Sequence, residues 1–442
     1  MFSLRESSKQ VDVFISVYFL IVLLTALLGG PLYRRLVFYF FSRTVDKFSL
    51  IGNAHLVFVI LLELPVMVYI YANYRELLKK SIKDIITIFL LIYTGIALVS
   101  LAYTIDLNLS LVSFIAILSG VLFYLIISVY LTFPSANGLN ISAENRFVNL
   151  SLTINYFVTF IVVFAFFYSF GIKHDFSTNR LSIGSFIHPN TLGFLVAVNI
   201  PLIHSRLRGS GGRSLSVFSL VVCLIALIMA RSRSAWLAIA VAYGLYPIFS
   251  RSGYDKKKLF FYLLLYFSGV LLVVWLVYSR RIPFLTHVFR LTKDQLISIT
   301  YRKDIWAFSL RRILKSPLIG VGIGAFQSIP YDVYQAYVPI KVTHAHNLFL
   351  NAGVEMGVPG ALTMVAIFIV SFVKLLKMQS ICNSCLAHRI LEGLLLLLTV
   401  ILVFHFSEST IRYPFTTILF YTFLAMVSSL SVVCHLKSGD RQ

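Results

Sequence analysis

Long apolar runs dominate the chain, and polar positions fall mostly into the short breaks between them. A helix needs about 20 mostly apolar residues to cross the hydrocarbon of a bilayer. Runs of that kind lie at 11–29, 54–72, 85–104, 109–133, 149–170, 190–205, 214–230, 235–250, 259–278, 360–376, 390–407 and 414–434. The pattern predicts an all-α polytopic membrane protein of about twelve transmembrane helices. It divides the chain into residues 1–278 with the first nine spans, 279–359 as a long extramembrane segment, and 360–442 with the last three spans and a tail. The first apolar run is long and no convincing small-residue cleavage site follows it, so no cleavable signal peptide is expected.

The 279–359 segment has a pattern of its own. Arg280, Arg281, Arg290 and Lys293 open it, and an amphipathic helix is predicted from about 295 to 314, with Trp306 and Phe308 suited to an interface and Arg302 on its polar side. Lys315-Ser316-Pro317 stops that helix, and Gly320, Gly322 and Gly324 follow. No βαβ pattern surrounds these glycines, which argues for backbone packed close to a bundle and against a dinucleotide loop. The segment closes with Thr343-His344-Ala345-His346-Asn347-Leu348-Phe349-Leu350-Asn351. Read as a helix, it puts Asn347, Asn351 and Glu355 on one face, with His344 near their line and His346 about 100° round. Gly357 and Pro359-Gly360 are expected to break that helix.

Composition confirms the membrane reading: 59% of residues are hydrophobic, 12% are charged and the mean hydropathy is +0.88. A net charge of +21 would suit nucleic acid if it formed one soluble patch. Here the basic residues sit in short loops between spans, which excludes nucleic acid as the expected partner and points to lipid. The loops with Arg75, Lys79, Lys80 and Lys83, with Arg206, Arg208 and Arg213, with Arg251 and Lys256–258, and with Lys374 and Lys377 fall on one side. By the positive-inside rule that side is cytoplasmic, as are both termini. The loop with Arg34, Arg35, Arg43 and Lys47 violates the rule.

Several polar features interrupt the spans. Glu63 lies inside the second run, a functional or a helix-pairing acid. Cys382-x-x-Cys385 with His388 resembles half a zinc site, but a second ligand pair is missing, so the cysteines are read as unpaired thiols. In Arg231-Ser232-Arg233-Ser234-Ala235-Trp236, a serine at the cap of a helix starting at Ala235 would hold Arg233 beside free backbone N–H groups. Arg231 and Arg233 either bind phosphate there or snorkel to headgroups. No Walker A lysine motif, no paired outward carboxylates and no internal repeat occur, which argues against an ATP-driven pump and a carboxylate-based glycosidase.

Taken in order, Ser232-Arg233-Ser234-Ala235-Trp236, Arg302 with Ile305-Trp306, Pro317 to Phe326, and His346-Asn347 followed by Gly357-x-x-Gly360 resemble the bacterial O-antigen ligase and O-antigen polymerase family. The resemblance covers about residues 180–376. It implies a GT-C-type inner-membrane glycosyltransferase that takes a glycan from undecaprenyl diphosphate on the periplasmic side, with no cofactor, metal or nucleotide. It assigns Arg233 and Arg302 to the carrier's diphosphate and His346 to the acceptor hydroxyl. His344 is a rival base. Asn347 and Asn351 either orient the acceptor or cap and pack. Glu355 is expected to be structural, and Glu408 and Arg412 either extend the saccharide site or are exposed loop charges, the latter favoured. The acceptor is the lipid A core for a ligase, or another carrier-linked repeat for a polymerase. A lipid-saccharide flippase is the alternative from another class, supported by Glu63 alone. Oligomeric state has no sequence signal.

Overall fold

A computed structural model describes residues 14–25, 55–133, 141–169, 181, 188–207, 213–249, 268, 293–335, 342–382, 385–411 and 414–435. Every extended element among them is helical. The helices are α1 (Phe14–Thr25), then α2 (His55–Asn73), α3 (Arg75–Ile82), α4 (Ile85–Ser100), α5 (Leu107–Thr132), α6 (Ile141–Phe167), α7 (Pro189–Leu207), α8 (Arg213–Ala230), α9 (Arg233–Phe249), α10 (Lys293–Lys315), α11 (Tyr331–Tyr334), α12 (Leu348–Ile381), α13 (Cys385–His405) and α14 (Pro414–His435).

Among the described residues, 6 of these helices are long and apolar enough to cross a membrane, and 7 if α3 and α4, bent by 75°, count as one span. These helices make the chain a multi-pass membrane protein. The predicted runs at 54–72, 109–133, 149–170, 214–230, 360–376 and 390–407 fall on spanning helices. Those at 190–205 and 235–250 form helices that do not meet that length and hydropathy together, and the described parts of 11–29 and 414–434 form α1 and α14. The run at 259–278 and the loop with Arg34 and Arg43 lie outside the described residues. The basic stretch after Asn73, predicted as a loop, is the helix α3.

The chain forms two compact units. Unit 1 comprises residues 1–153, 303–388 and 408–442. Its α5 packs along α14 and α2, and α12 packs along α4 and α14. Outward positions such as Phe58, Val68, Leu98 and Leu362 are large and apolar, as lipid-facing surface requires. Inside, Glu63 is fully buried and accepts a hydrogen bond from Ser119 Oγ at 2.8 Å. Asp84 caps α4 through Ile86 N–H at 3.0 Å and pairs with Lys374 of α12. Cys382 at the end of α12 is bonded to Cys434 at the end of α14, with Cα atoms 4.4 Å apart. The two cysteines lie 52 residues apart in sequence, which hid the pairing, and Cys385 remains free and exposed.

The glycine-rich stretch after α10 is a strap across a break in α12. Gly357 interrupts that helix at φ 73°, ψ −174°, a conformation open to glycine and strained for other residues. The break leaves two carbonyls without their usual donors: Val358 N–H points instead to Pro317 O at 2.7 Å, and Pro359 has no N–H. The strap fills both vacancies. Val321 N–H donates to Val354 O at 3.0 Å and Gly322 N–H to Glu355 O at 2.9 Å. A Cβ on Gly320 would lie 2.3 Å from the Glu355 carbonyl, so only glycine allows the approach. The far side of the strap is tied to the α4–α5 turn, where Ile105 N–H meets Val321 O at 3.0 Å and Ser100 Oγ accepts Ile323 N–H at 3.1 Å. Backbone at membrane depth needs this kind of satisfaction.

Unit 2 comprises residues 154–302 and 389–407. In it α7 packs against α8 and α9. Asn199 Nδ2 donates to Asn155 Oδ1 at 2.9 Å in its interior, and Phe194 stacks obliquely on Phe404 at 5.0 Å.

Candidate functional site

The histidine stretch is not helical. Asn347 is the cap of α12, its Oδ1 accepting Phe349 N–H and Leu350 N–H, each at 3.0 Å. An asparagine that caps turns the chain out of the helix before it. His344 and His346 therefore sit in the preceding loop, which corrects the predicted helical face.

That loop is fixed at its middle residue. Ala345 is fully buried, its N–H donates to Asn351 Oδ1 at 3.1 Å, and its carbonyl accepts Trp306 Nε1–H of α10 at 3.0 Å. Upstream, Val342 N–H donates to Tyr334 Oη at 3.1 Å, and Tyr334 stacks against Phe308. Trp306 and Phe308 thus anchor the loop instead of facing an interface. His346 takes φ 50°, rare for a residue with a side chain. Holding it there turns its ring toward that of His344, with centroids 4.0 Å apart.

Both rings meet one carboxylate. Glu408, in the turn between α13 and α14, places Oε1 3.0 Å from His344 Nε2 and 3.1 Å from His346 Nδ1. Ser409 N–H donates to the same oxygen at 3.2 Å. Burial alone would push the Glu408 carboxyl up, but hydrogen bonds from His344 and His346 outweigh it and hold the carboxyl well below the usual range. An ionised carboxylate only accepts, so the ring nitrogens facing it carry hydrogens. His344 Nδ1 is then the acceptor for Thr343 Oγ1 at 3.0 Å. In a neutral His346 ring the acceptor nitrogen is then Nε2, on the side of the ring away from Glu408. The His346 side chain is also the more open, 24% exposed against 11% for His344.

The favoured sequence reading of Glu408 is an exposed loop charge, whereas it is only 4% exposed. The pairing lies 62 residues from His346 in sequence, beyond the reach of helical spacing. The available signal was an acid in a short turn of a chain with only 17 acidic residues. Arg412 lies outside the described residues. Asn347 and Asn351 are buried, and their amide oxygens serve the cap and the loop. Glu355 is buried, with its carbonyl on the strap.

His344 Nε2, His346 Nδ1 and a Glu408 carboxylate oxygen lie within 4.8 Å of one another, a donor set that suits a divalent cation.

The arginines belong to unit 2. Arg231 occupies the α8–α9 turn at φ 48°, and α9 begins at Arg233, before the predicted Ala235. Neither serine acts as the expected cap: Ser232 Oγ is buried with no hydrogen bond among the described residues, and Ser234 Oγ accepts from Ser407 Oγ at 2.8 Å. The turn is held by Trp236 Nε1–H on Leu227 O at 2.7 Å. Burial and then the charge of Arg302 pull the Arg233 guanidinium below its ordinary value, so the two side chains share one field. Burial does the same to Arg231.

Residues 218–365 match the profile described as O-antigen ligase. Over that segment, about a third of the chain, the sequence is similar to the O-antigen ligase family. Arg231, Arg233, Arg302, His344 and His346 all fall inside it, and Glu408 does not. The match indicates activity of the O-antigen ligase or polymerase type. No curated protein matches the chain.

Proposed function

We propose that the protein is an inverting, GT-C-type O-antigen ligase of the bacterial inner membrane, moving an undecaprenyl-diphosphate-linked glycan to a lipid A core hydroxyl on the periplasmic side. The observation that carries this reading is the open Nε2 of His346, whose Nδ1 is bonded to a buried carboxylate inside a family-matched segment. The acceptor hydroxyl donates its proton to Nε2, and Glu408 stabilises the imidazolium that results. The acceptor oxygen then bonds the anomeric carbon as the carbon–oxygen bond to phosphate breaks. The bonding pair leaves with the carrier diphosphate, inverting the carbon.

Arg233 and Arg302 receive that charge, with Arg231 beside them. The charge of Arg302 raises the cost of keeping Arg233 charged, and a bound diphosphate would offset that cost. Because the leaving group gains charge as the bond breaks, the two guanidinium groups bind the transition state more tightly than the substrate. Trp306 of α10 holds the histidine loop through the Ala345 carbonyl. Asn347 and Asn351 position the loop and line the acceptor side.

The test is product identity. Purified protein with a carrier-linked glycan and a lipid A core acceptor should form a glycan–core bond without nucleotide or added metal. Arg302→Ala should lower the rate about 10²–10³-fold at equal folded protein. Lengthened carrier-linked glycan with no core product would instead make the protein a polymerase, and glycan crossing a membrane with no new bond a flippase.

A further inference from the structure

The cluster that holds the open imidazole nitrogen is also built like a cation site. Zinc bound by imidazole nitrogen and carboxylate oxygen at about 2.0–2.1 Å in a tetrahedron sets its donor atoms about 3.3 Å apart. Glu408 Oε1 already stands 3.0 Å from His344 Nε2 and 3.1 Å from His346 Nδ1. The backbone is set in advance, since Ala345 is fixed through both its N–H and its carbonyl and His346 is held at φ 50°. Thr343 Oγ1 on His344 Nδ1 supplies the outer hydrogen bond that usually orients a ligating imidazole. Two imidazoles and a carboxylate without a thiolate suit zinc and its divalent neighbours better than magnesium or calcium. Three protein donors leave a fourth position, on the side where His346 is 24% exposed.

We propose that His344, His346 and Glu408 form a binding site for a divalent transition cation of the zinc type, and that its occupation inhibits transfer. An ion on the Glu408 side needs lone pairs at His344 Nε2 and His346 Nδ1. The hydrogens now on those atoms move to the opposite ring nitrogens, so none is gained or lost. On His346 the opposite nitrogen is Nε2, which becomes N–H and no longer accepts the acceptor's proton. Inhibition rests on the reading of His346 as base; binding does not.

The purified full-length protein in detergent, titrated with zinc chloride by calorimetry and examined by X-ray absorption at the zinc edge, tests this. One zinc per chain is expected in a shell of two imidazoles and oxygen, unchanged in Cys385→Ser. Affinity should fall at least about tenfold in His344→Ala and in His346→Gln, since loss of a mere supporting hydrogen bond already costs about 10–100-fold. Melting curves choose between these variants should one fail to fold. A shell containing sulfur, or undiminished affinity in both histidine variants, overturns the site. With substrates present, transfer should fall as zinc fills the site and return on chelation; full transfer by zinc-loaded protein overturns the inhibition. Bound zinc together with an active His346→Gln would keep the site and remove the base, and no zinc together with an inactive His346→Gln would do the reverse.

Discussion

The residues that decide the chemistry are held by their neighbours' hydrogen bonds more than by their own position in the chain. His344 and His346 are two apart in sequence, and there His344 is a rival to His346 as base. They separate once Thr343 occupies one ring and leaves the other open. Glu408 makes the difference between them matter, because a buried carboxylate steadies whichever imidazole takes a proton. Its folded pKa lies below the unfolded value of about 4.3, so its contribution is complete above that pH and is lost as pH falls through the folded value. Glu408→Gln should therefore lower stability by about 1–3 kcal/mol at neutral pH. Thermal melting of both proteins should show a gap that narrows as the pH falls below about 4. A gap that widened below about pH 4 would mean that the carboxyl is protonated in the native state.

At the scale of elements, the α12 break and the glycine strap explain why Pro317 to Phe326 and Gly357 to Pro359 belong together. The break exposes carbonyls, and the strap, about 35 residues earlier in the chain, satisfies them. Sequence showed that Gly320 approaches something closely and that Gly357 ends a helix; it carried no sign that each requires the other. Gly320→Ala puts a methyl group against the Glu355 carbonyl and should destabilise the protein by about 1–3 kcal/mol, with a lower melting temperature in detergent. Leu318→Ala nearby, at an exposed position, should change it much less. The apolar runs were legible because burial in lipid demands the same residue type at every turn. Helix starts were not, since Asn347 and Arg233 end loops whose conformation depends on Trp306 and Trp236. The basic stretch Arg75–Ile82 read as a loop for a related reason: its charges mask a helix that buries only Leu78 and Ser81.

For the whole molecule, every group that the proposed reaction needs is a side chain of the protein. Transfer should accordingly survive exhaustive dialysis against a chelator with its rate undiminished; a rate that collapsed and returned with zinc would turn the cluster from an inhibitory site into a required one. The sequence carried the membrane character and the arginine and histidine motifs, while the acid that completes the cluster lay outside both the motif and the family-matched segment. The most direct measurement is the rate of glycan transfer by purified His346→Ala beside His344→Ala, compared at equal folded protein. Loss of about 10²–10⁴-fold in the former and a clearly smaller loss in the latter is the predicted result. A His346→Ala enzyme as fast as the wild type would contradict it.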